Sequence, residues 1–281
     1  MQYVRSLLVR AACLWNMLHV AFHLGNWGTK FCHTFDPERQ LTSNELPNMS
    51  VSLVHGPSEP ALVSSSIGHL LDRQSVQFSD REAVIFPAES VRYTYHELNS
   101  RVKIVCRALI AHGIRAGDRV GVFSGNCVRY VEVFLATTRI GAITVLLNNA
   151  YSTRECLNAL MSTGGWWPFY YAGCDNNDAG CSLLFTTTQI GNRDLSPCLT
   201  NLNISMDGNK LPDLKHIILL QTDGHNYEQF QSYDNFLGQA SMISESSLFE
   251  NEKKVQKDQV CTFQFTSGTT GAPKIAMLTH T

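Results

Sequence analysis

A chain of 281 residues, 44% of them hydrophobic, is large enough for one big α/β domain or two small ones and carries ample core material. A net charge of −2 supplies no basic field, which argues against nucleic acid as a partner. Nine scattered cysteines, never spaced Cys-x-x-Cys, argue for reduced thiols in an intracellular compartment over disulfides or a zinc site. Cys32-His33 is a lone dyad, and the sequons at Asn48 and Asn203 are chance matches in such a compartment.

Residues 1–24 hold Arg5 and Arg10, no acid, and an apolar stripe at Val4, Leu7, Leu8, Ala11, Trp15, Leu18 and Phe22. The stripe predicts one face of a helix. Two readings stand: a mitochondrial presequence, or a surface helix or extension lying outside the fold. Arg10 breaks the apolar run too early for a transmembrane span. Residues 41–66 are rich in Ser and Pro and read as an extended strap.

A helix follows, capped by Ser66, with Ile67, Leu70, Leu71 and Gln74 on one face. Strands are expected over 82–86, stopped by Pro87, and over 91–94. Thr94 and Glu97 form a capping box that opens a helix burying Leu98, Val102, Val105, Cys106 and Leu109, ended by Gly113. His96 and His112 are expected to be solvated on that helix. Then the chain alternates: strand 119–123, helix 126–140, strand 143–147, helix 153–161, and further strands at 182–186 and 216–220. Such alternation predicts a parallel sheet covered by helices.

One stretch breaks the pattern. Residues 165–180 place five aromatics within 166–171 and then a polar, Gly-bounded turn. Removing them restores a short helix-to-strand connection. They read as an insertion, either translated non-coding sequence or an aromatic lid. Residues 222–259 are polar and turn-rich and are expected to form a surface excursion.

The densest chemistry lies at 266–274. Two apolar strands flank Thr266, Ser267, Gly268, Thr269, Thr270 and Gly271, with Pro273 and Lys274 just after. Gly268 and Gly271 allow backbone N–H groups to turn inward, the hydroxyls add donors, and Lys274 adds a cation. Many donors and one cation at close range suit a polyphosphate. A P-loop would need Gly-Lys-Ser/Thr opening a helix, and Lys274 instead follows Pro273 and precedes Ile275. No Gly-x-Ser-x-Gly or Gly-x-Gly-x-x-Gly occurs, so a serine hydrolase and a dinucleotide fold lack support.

The stretch from Phe263 to Lys274 resembles the AMP-binding signature of the adenylate-forming superfamily of acyl-CoA synthetases, peptide-synthetase adenylation domains and luciferases. Tyr93-Thr-Tyr-His-Glu-Leu98, Gly117-Asp-Arg-Val-Gly121, and Ile140-Gly-Ala142 leading to Leu147-Asn-Asn-Ala-Tyr151 are similar to its N-terminal domain. His55-Gly-Pro-Ser-Glu-Pro60 and Asp80-Arg-Glu-Ala83 resemble the medium-chain acyl-CoA synthetase branch. The resemblance implies an α/β fold: the N-terminal part of the large domain, mostly parallel sheet flanked by helices, incomplete. It divides the chain into an extension at 1–50 and a partial AMP-binding domain at 51–281. It implies ATP, Mg²⁺ and CoA, a small carboxylic acid as substrate, and Thr266 to Gly271 with Lys274 as phosphate-binding residues. The family's Mg²⁺-binding Glu and essential Lys are expected beyond Thr281, leaving a truncated ligase or a non-catalytic fragment as the two readings. Two departures stand out: Ile275 where the family usually has Gly, and Asn149 where it commonly has Pro.

Overall fold

The computed structural model describes residues 63–164, 180–207, 210–221, 227, 229–266 and 274–281. All belong to the unit Ser58–Thr281. The expectations for 1–50, for most of the strap and for the body of the insertion therefore lie outside the described residues.

Helix α1 (Ile67–Gln77) is capped by the Ser66 hydroxyl, which accepts from His69 N. Strands β1 (Glu82–Phe86) and β2 (Val91–Thr94) form an antiparallel hairpin. Thr94 and Glu97 form the expected capping box on α2 (Tyr95–Ala111), and Gly113 leaves that helix at φ +83°. There follow β3 (Arg119–Phe123), α3 (Val128–Arg139), β4 (Ile143–Leu146), α4 (Thr153–Ser162), β5 (Cys181–Thr187) and a two-residue-strand hairpin, β6 (Gln189–Ile190) and β7 (Arg193–Asp194). Next come α5 (Ser196–Asp207), β8 (His216–Gln221), β9 (Gln231–Ser232), α6 (Tyr233–Gly238), α7 (Glu245–Glu252), β10 (Val260–Thr266) and β11 (Lys274–Thr279).

The main sheet has the order β11-β10-β4-β3-β5-β8-β9, parallel throughout except for β11, which runs antiparallel to β10. Its central strands are apolar on both faces. Val120, Val122, Leu183, Phe185, Ile218 and Leu220 join one core with α2, α3 and α6. Their alternates Phe123, Leu184, Ile217 and Leu219 join a second core with α4 and α5. Side chains of a strand alternate in direction, so such a run is buried only when helices cover both faces. Gly121 is small of necessity: a Cβ there would sit 2.9 Å from Leu184 Cδ1.

The polar segment after β8 departs from expectation. Residues 222–259 are not a surface excursion throughout, because Tyr233 and Phe236 are fully buried and Ala240 and Leu248 lie in the first core. Phe185 stacks edge-on against Phe236 at 5.2 Å between centroids. The Tyr233 hydroxyl donates to Glu132 (2.7 Å), a fully buried carboxylate that also accepts from Arg101 Nε (2.9 Å). His96 is exposed as expected, but His112 is not simply solvated. Its ring bonds Ala108 O (2.8 Å) and Gln231 Oε1 (3.1 Å) and packs 4.8 Å from Phe236.

Arg139, at the end of α3, is a buried hub. Nε meets Glu252 Oε1 of α7 (2.5 Å), Nη1 meets Asn99 Oδ1 of α2 (2.7 Å), and Nη2 meets both carboxylate oxygens of Asp72 of α1 (2.9 and 2.7 Å). Gly68 lets α1 come this close, since a Cβ there would lie 2.8 Å from Arg139 Cγ.

His280 closes the same side of the molecule. It is buried, and its Nδ1 accepts the N–H of Ile67 (3.3 Å) at the start of α1. Burial first, and the nearby His69 second, hold its pKa below the ordinary 6.5. His216 is lowered in the same direction, by burial first and then by His112. The unfolded chain therefore binds these protons more readily than the fold does. Stability is expected to be whole above about pH 6.5 and to decline as the pH falls through it toward the lower folded values. Urea midpoints measured between about pH 7.5 and 5.5 should drop, and His280→Gln should flatten part of that slope. An unchanged slope in the variant would remove His280 from the account.

Candidate functional site

In a parallel sheet all strands release their carboxyl ends on one edge, and ligands bind in the crevice outside that edge. Here the connection from β3 leads through α3 to β4 on one side, while β5 leads through α5 to β8 on the other. The chain thus reverses its winding between β3 and β5, and β10 reaches the same edge two strands away.

β10 and β11 pair antiparallel and are joined in sequence by residues 267–273. Thr266 pairs with Lys274 at the carboxyl end of β10, and Thr266 Oγ1 donates to Lys274 O (3.3 Å). Both side chains are exposed, and no ion pair to a described carboxylate engages Lys274. Ser267, Gly268, Thr269, Thr270 and Gly271 lie outside the described residues. The structure thus brings together the two ends of the candidate set.

The two strands are fixed from one side. β10 pairs in parallel with β4, and Thr262 Oγ1 donates to Thr144 O (2.8 Å) in the interior. Phe263 is buried in the second core, and Phe265 meets Tyr151 edge-on at 6.3 Å. Ile275, where a glycine was expected from the resemblance, pairs with Phe265 across the hairpin and packs against that same core. Its branched side chain is therefore housed against apolar neighbours.

Tyr151 belongs to the loop between β4 and α4, which is held by groups that sequence reading passed over. Ser152 and Glu155 form a second capping box: Ser152 N donates to Glu155 Oε2 (2.8 Å), and Ser152 Oγ accepts from Glu155 N. That pair, through its Ser-x-x-Glu spacing, was visible in the sequence. The hydroxyl of Ser152 first, and its backbone N–H second, hold the Glu155 carboxyl below the usual carboxylate range. Arg193 of β7 had no sequence signal. Its guanidinium donates to Asn149 O (3.1 Å) and Tyr151 O (2.5 Å), and lies 5.9 Å over the Phe123 ring at the end of β3. The loop carrying Asn149 is thereby tied to β7.

This is a helix-covered, mostly parallel α/β sheet whose strands β10 and β11, linked by a hydroxyl- and glycine-rich stretch of sequence, meet at its carboxyl edge, where α/β proteins bind ligands. The chain matches the AMP-binding enzyme family over residues 71–165 and 176–281 and belongs to that family. The acyl-CoA ligase SID4 of Ajellomyces capsulatus is 35% identical over 230 residues, 82% of this chain and 36% of the relative. The acyl-CoA ligase sidI of Aspergillus fumigatus is 37% identical over 231 residues, covering 82% and 36%. The mitochondrial medium-chain acyl-CoA ligase ACSF2 of Danio rerio is 29% identical over 243 residues, covering 84% and 37%. The chain therefore spans only 36–37% of the length of these relatives.

Two solved structures share the fold. The anthranilate CoA ligase AuaEII in complex with anthranoyl-AMP has a TM-score of 0.59 at 18% identity, covering 80% of this chain and 36% of that one. The N-terminal domain of FACL13 from Mycobacterium tuberculosis has a TM-score of 0.55 at 18% identity, covering 77% and 44%. Among the described residues no helix is long and apolar enough to cross a membrane.

Proposed function

We propose that the chain is part of an ATP-dependent acid–CoA ligase. A carboxylate oxygen attacks the α-phosphorus of ATP, pyrophosphate leaves, and the acyl-adenylate passes its acyl group to the thiol of CoA with release of AMP. The observation that carries this reading is the pairing of Thr266 with Lys274, which brings the two ends of the 266–274 stretch together at the carboxyl end of β10. The acyl-CoA ligase relatives at 35% and 37% identity support it.

In this reading Thr266, Ser267, Gly268, Thr269, Thr270, Gly271 and Lys274 hold the polyphosphate. Donors fixed before reaction stabilise developing charge without reorganising. Mg²⁺ is a hard cation suited to oxygen ligands, and the hydroxyls of Thr266, Ser267, Thr269 and Thr270 are of that kind. Among the described residues no group of three His, Cys, Asp or Glu side chains gathers to hold a metal. Of this chain, those hydroxyls are the groups that would help hold Mg²⁺, and the ion would neutralise phosphate charge.

The test is acid-dependent pyrophosphate release and thioester formation across short-, medium- and long-chain acids. It is run on the 281-residue chain and on the product of its reading frame carried to the length of the relatives. The long product is expected to be active. The 281-residue chain, which aligns with 36% of the SID4 relative, is expected to bind ATP weakly and to form no thioester. Silence of the long product with every acid would end the ligase proposal, and thioester formation by the 281-residue chain would overturn the expectation that it needs the further length of the relatives.

We also propose that residues 165–180 are an insertion dispensable to the fold. The family match supports this, because it pauses between residues 165 and 176. Deleting 165–180 should leave thermal unfolding within a few degrees of the parent, as for tolerated surface changes of about 0.5 kcal/mol or less. Lower solubility on deletion, with the segment present in every transcript, would favour an aromatic lid.

A further inference from the structure

On the carboxyl edge of the sheet the ends of β10, β4, β3 and β5 stand side by side in that order. A continuous line of contacts runs along them. The β6–β7 hairpin follows β5, and its Arg193 guanidinium lies 5.9 Å over the ring of Phe123, the last residue of β3. The same guanidinium donates to the carbonyls of Asn149 (3.1 Å) and Tyr151 (2.5 Å) in the loop after β4. Tyr151 in turn meets Phe265 of β10 edge-on at 6.3 Å. Phe265 precedes Thr266, which pairs with Lys274.

Both ends of this line are held by their own surroundings. Gly191 supplies the positive φ (+58°) that turns the chain between β6 and β7, and Ile190 pairs with Arg193. Just after β7, Leu195 is buried in the second core and its N–H donates to Thr188 O (2.8 Å), which fixes the base from which Arg193 extends. In the loop, Ala150 N donates to Asn148 Oδ1 (2.9 Å), Tyr151 N to Asn148 O (3.0 Å) and Ser152 N to Glu155 Oε2 (2.8 Å). The loop and its helix thus satisfy these three donors from within. The carbonyls of Asn149 and Tyr151 are met instead by Arg193, from a different part of the chain. A planar guanidinium offers several N–H donors in fixed geometry and can hold two acceptors at once, which suits it to this place better than an ammonium.

We propose that Arg193 is a positioning residue of the nucleotide site: it clamps the loop at 149–151 and, through the Tyr151–Phe265 contact, fixes the end of β10 that carries the Thr266–Lys274 pair. The clamp rests on the contacts alone, and its bearing on ATP rests on the ligase reading. Arg193 touches no reacting atom. Its effect is to hold the end of β10 in place before the nucleotide arrives, so that binding does not have to order it.

Arg193→Ala and Arg193→Lys are compared with the parent in two ways. In the 281-residue chain, hydrogen exchange should quicken in peptides covering 148–152 and 260–266 and stay at the parent level in α2 and α3. In the long product, Arg193→Ala should raise the KM for ATP by roughly five- to tenfold and leave that for the acid within about twofold, as when a hydrogen-bonded support of ground-state binding is lost. A smaller folded fraction alone would lower kcat and leave both KM values in place. Arg193→Lys keeps the cation without the fork and should fall between parent and Ala. Tyr151→Leu should also raise the KM for ATP, and adding Arg193→Ala to it should bring less than about a further twofold, because residues acting in series are not additive. Should Arg193→Ala fail to fold, Arg193→Lys and Tyr151→Leu carry the comparison. Unchanged exchange at 260–266 overturns the clamp. An unchanged KM for ATP, an equal rise in both KM values, or fully multiplicative effects in the double variant overturns the positioning role. A long product silent with every acid removes the ligase reading, and the exchange map then decides the clamp by itself.

Discussion

Arg139→Ala should destabilise the chain by about 3–5 kcal/mol, as expected when one member of a buried charged network is removed. The side chain is 2% exposed and spends its donors on Glu252, Asn99 and Asp72, so α1, α2 and α7 all meet at its guanidinium. Truncation leaves Glu252, 13% exposed, without its cation. Asp72 is 36% exposed and can rehydrate, which places the loss toward the lower end of the range. Arg139→Lys keeps the charge but loses the forked geometry, and should fall between parent and Ala. Urea unfolding followed by circular dichroism reads both. A loss under about 1 kcal/mol for Arg139→Ala, the scale of exposed pairs, would mean that the network is no more than a surface cluster.

The second large effect concerns activity. In a ligase-competent protein, Lys274→Ala and Thr269→Ala should each lower kcat/KM by roughly ten- to a hundredfold, the equivalent of one charged hydrogen bond at about 1.5–3 kcal/mol. Lys274→Ala should leave the unfolding temperature unchanged, because the side chain is exposed and holds no described carboxylate. Steady-state kinetics at varied ATP, with a melting curve on the same sample, separate the two effects. Unchanged kinetics in both variants would reduce the turn to a structural connection.

Much of the scaffold could be read directly from residue pattern. Strand β3 fell on Arg119–Phe123, and the capping box opened α2 where Thr94 and Glu97 placed it. Both are local signals, an apolar run between turns and a reciprocal pair of hydrogen bonds. The segment after β8 was illegible for the opposite reason. Tyr233 and Phe236 are isolated aromatics among polar residues, and only Phe185 and Glu132, distant in sequence, make them core. α5 is rich in Ser, Thr and Asn, poor helix formers, so its helical state rests on packing Leu199 and Leu202 into the sheet. Arg193 could not be singled out at all, because its partners are backbone carbonyls that no residue pattern encodes. For the candidate site, the 266–274 composition suggested a polyphosphate and the resemblance singled out 147–151, while the contacts of that loop with Phe265 and Arg193 emerged only from the tertiary structure.

The pairing of β10 with β4 also bears on how the molecule is assembled. Thr262 bonds to Thr144, 118 residues earlier, and Ile67 bonds to His280 across 213 residues. By contrast, Val120 meets Thr144 through a single helical crossover. Closing the roughly fivefold longer loop costs about 1.4 kcal/mol more in chain entropy, and long-range parallel pairing is slow. During synthesis β3, β4 and β5 are therefore expected to be available to pair before β10 emerges, with the edge of β4 then uncovered. Among the described strands β10 and β11 are the last in sequence, and the pairing of β10 covers the edge of β4 to which another chain could otherwise add.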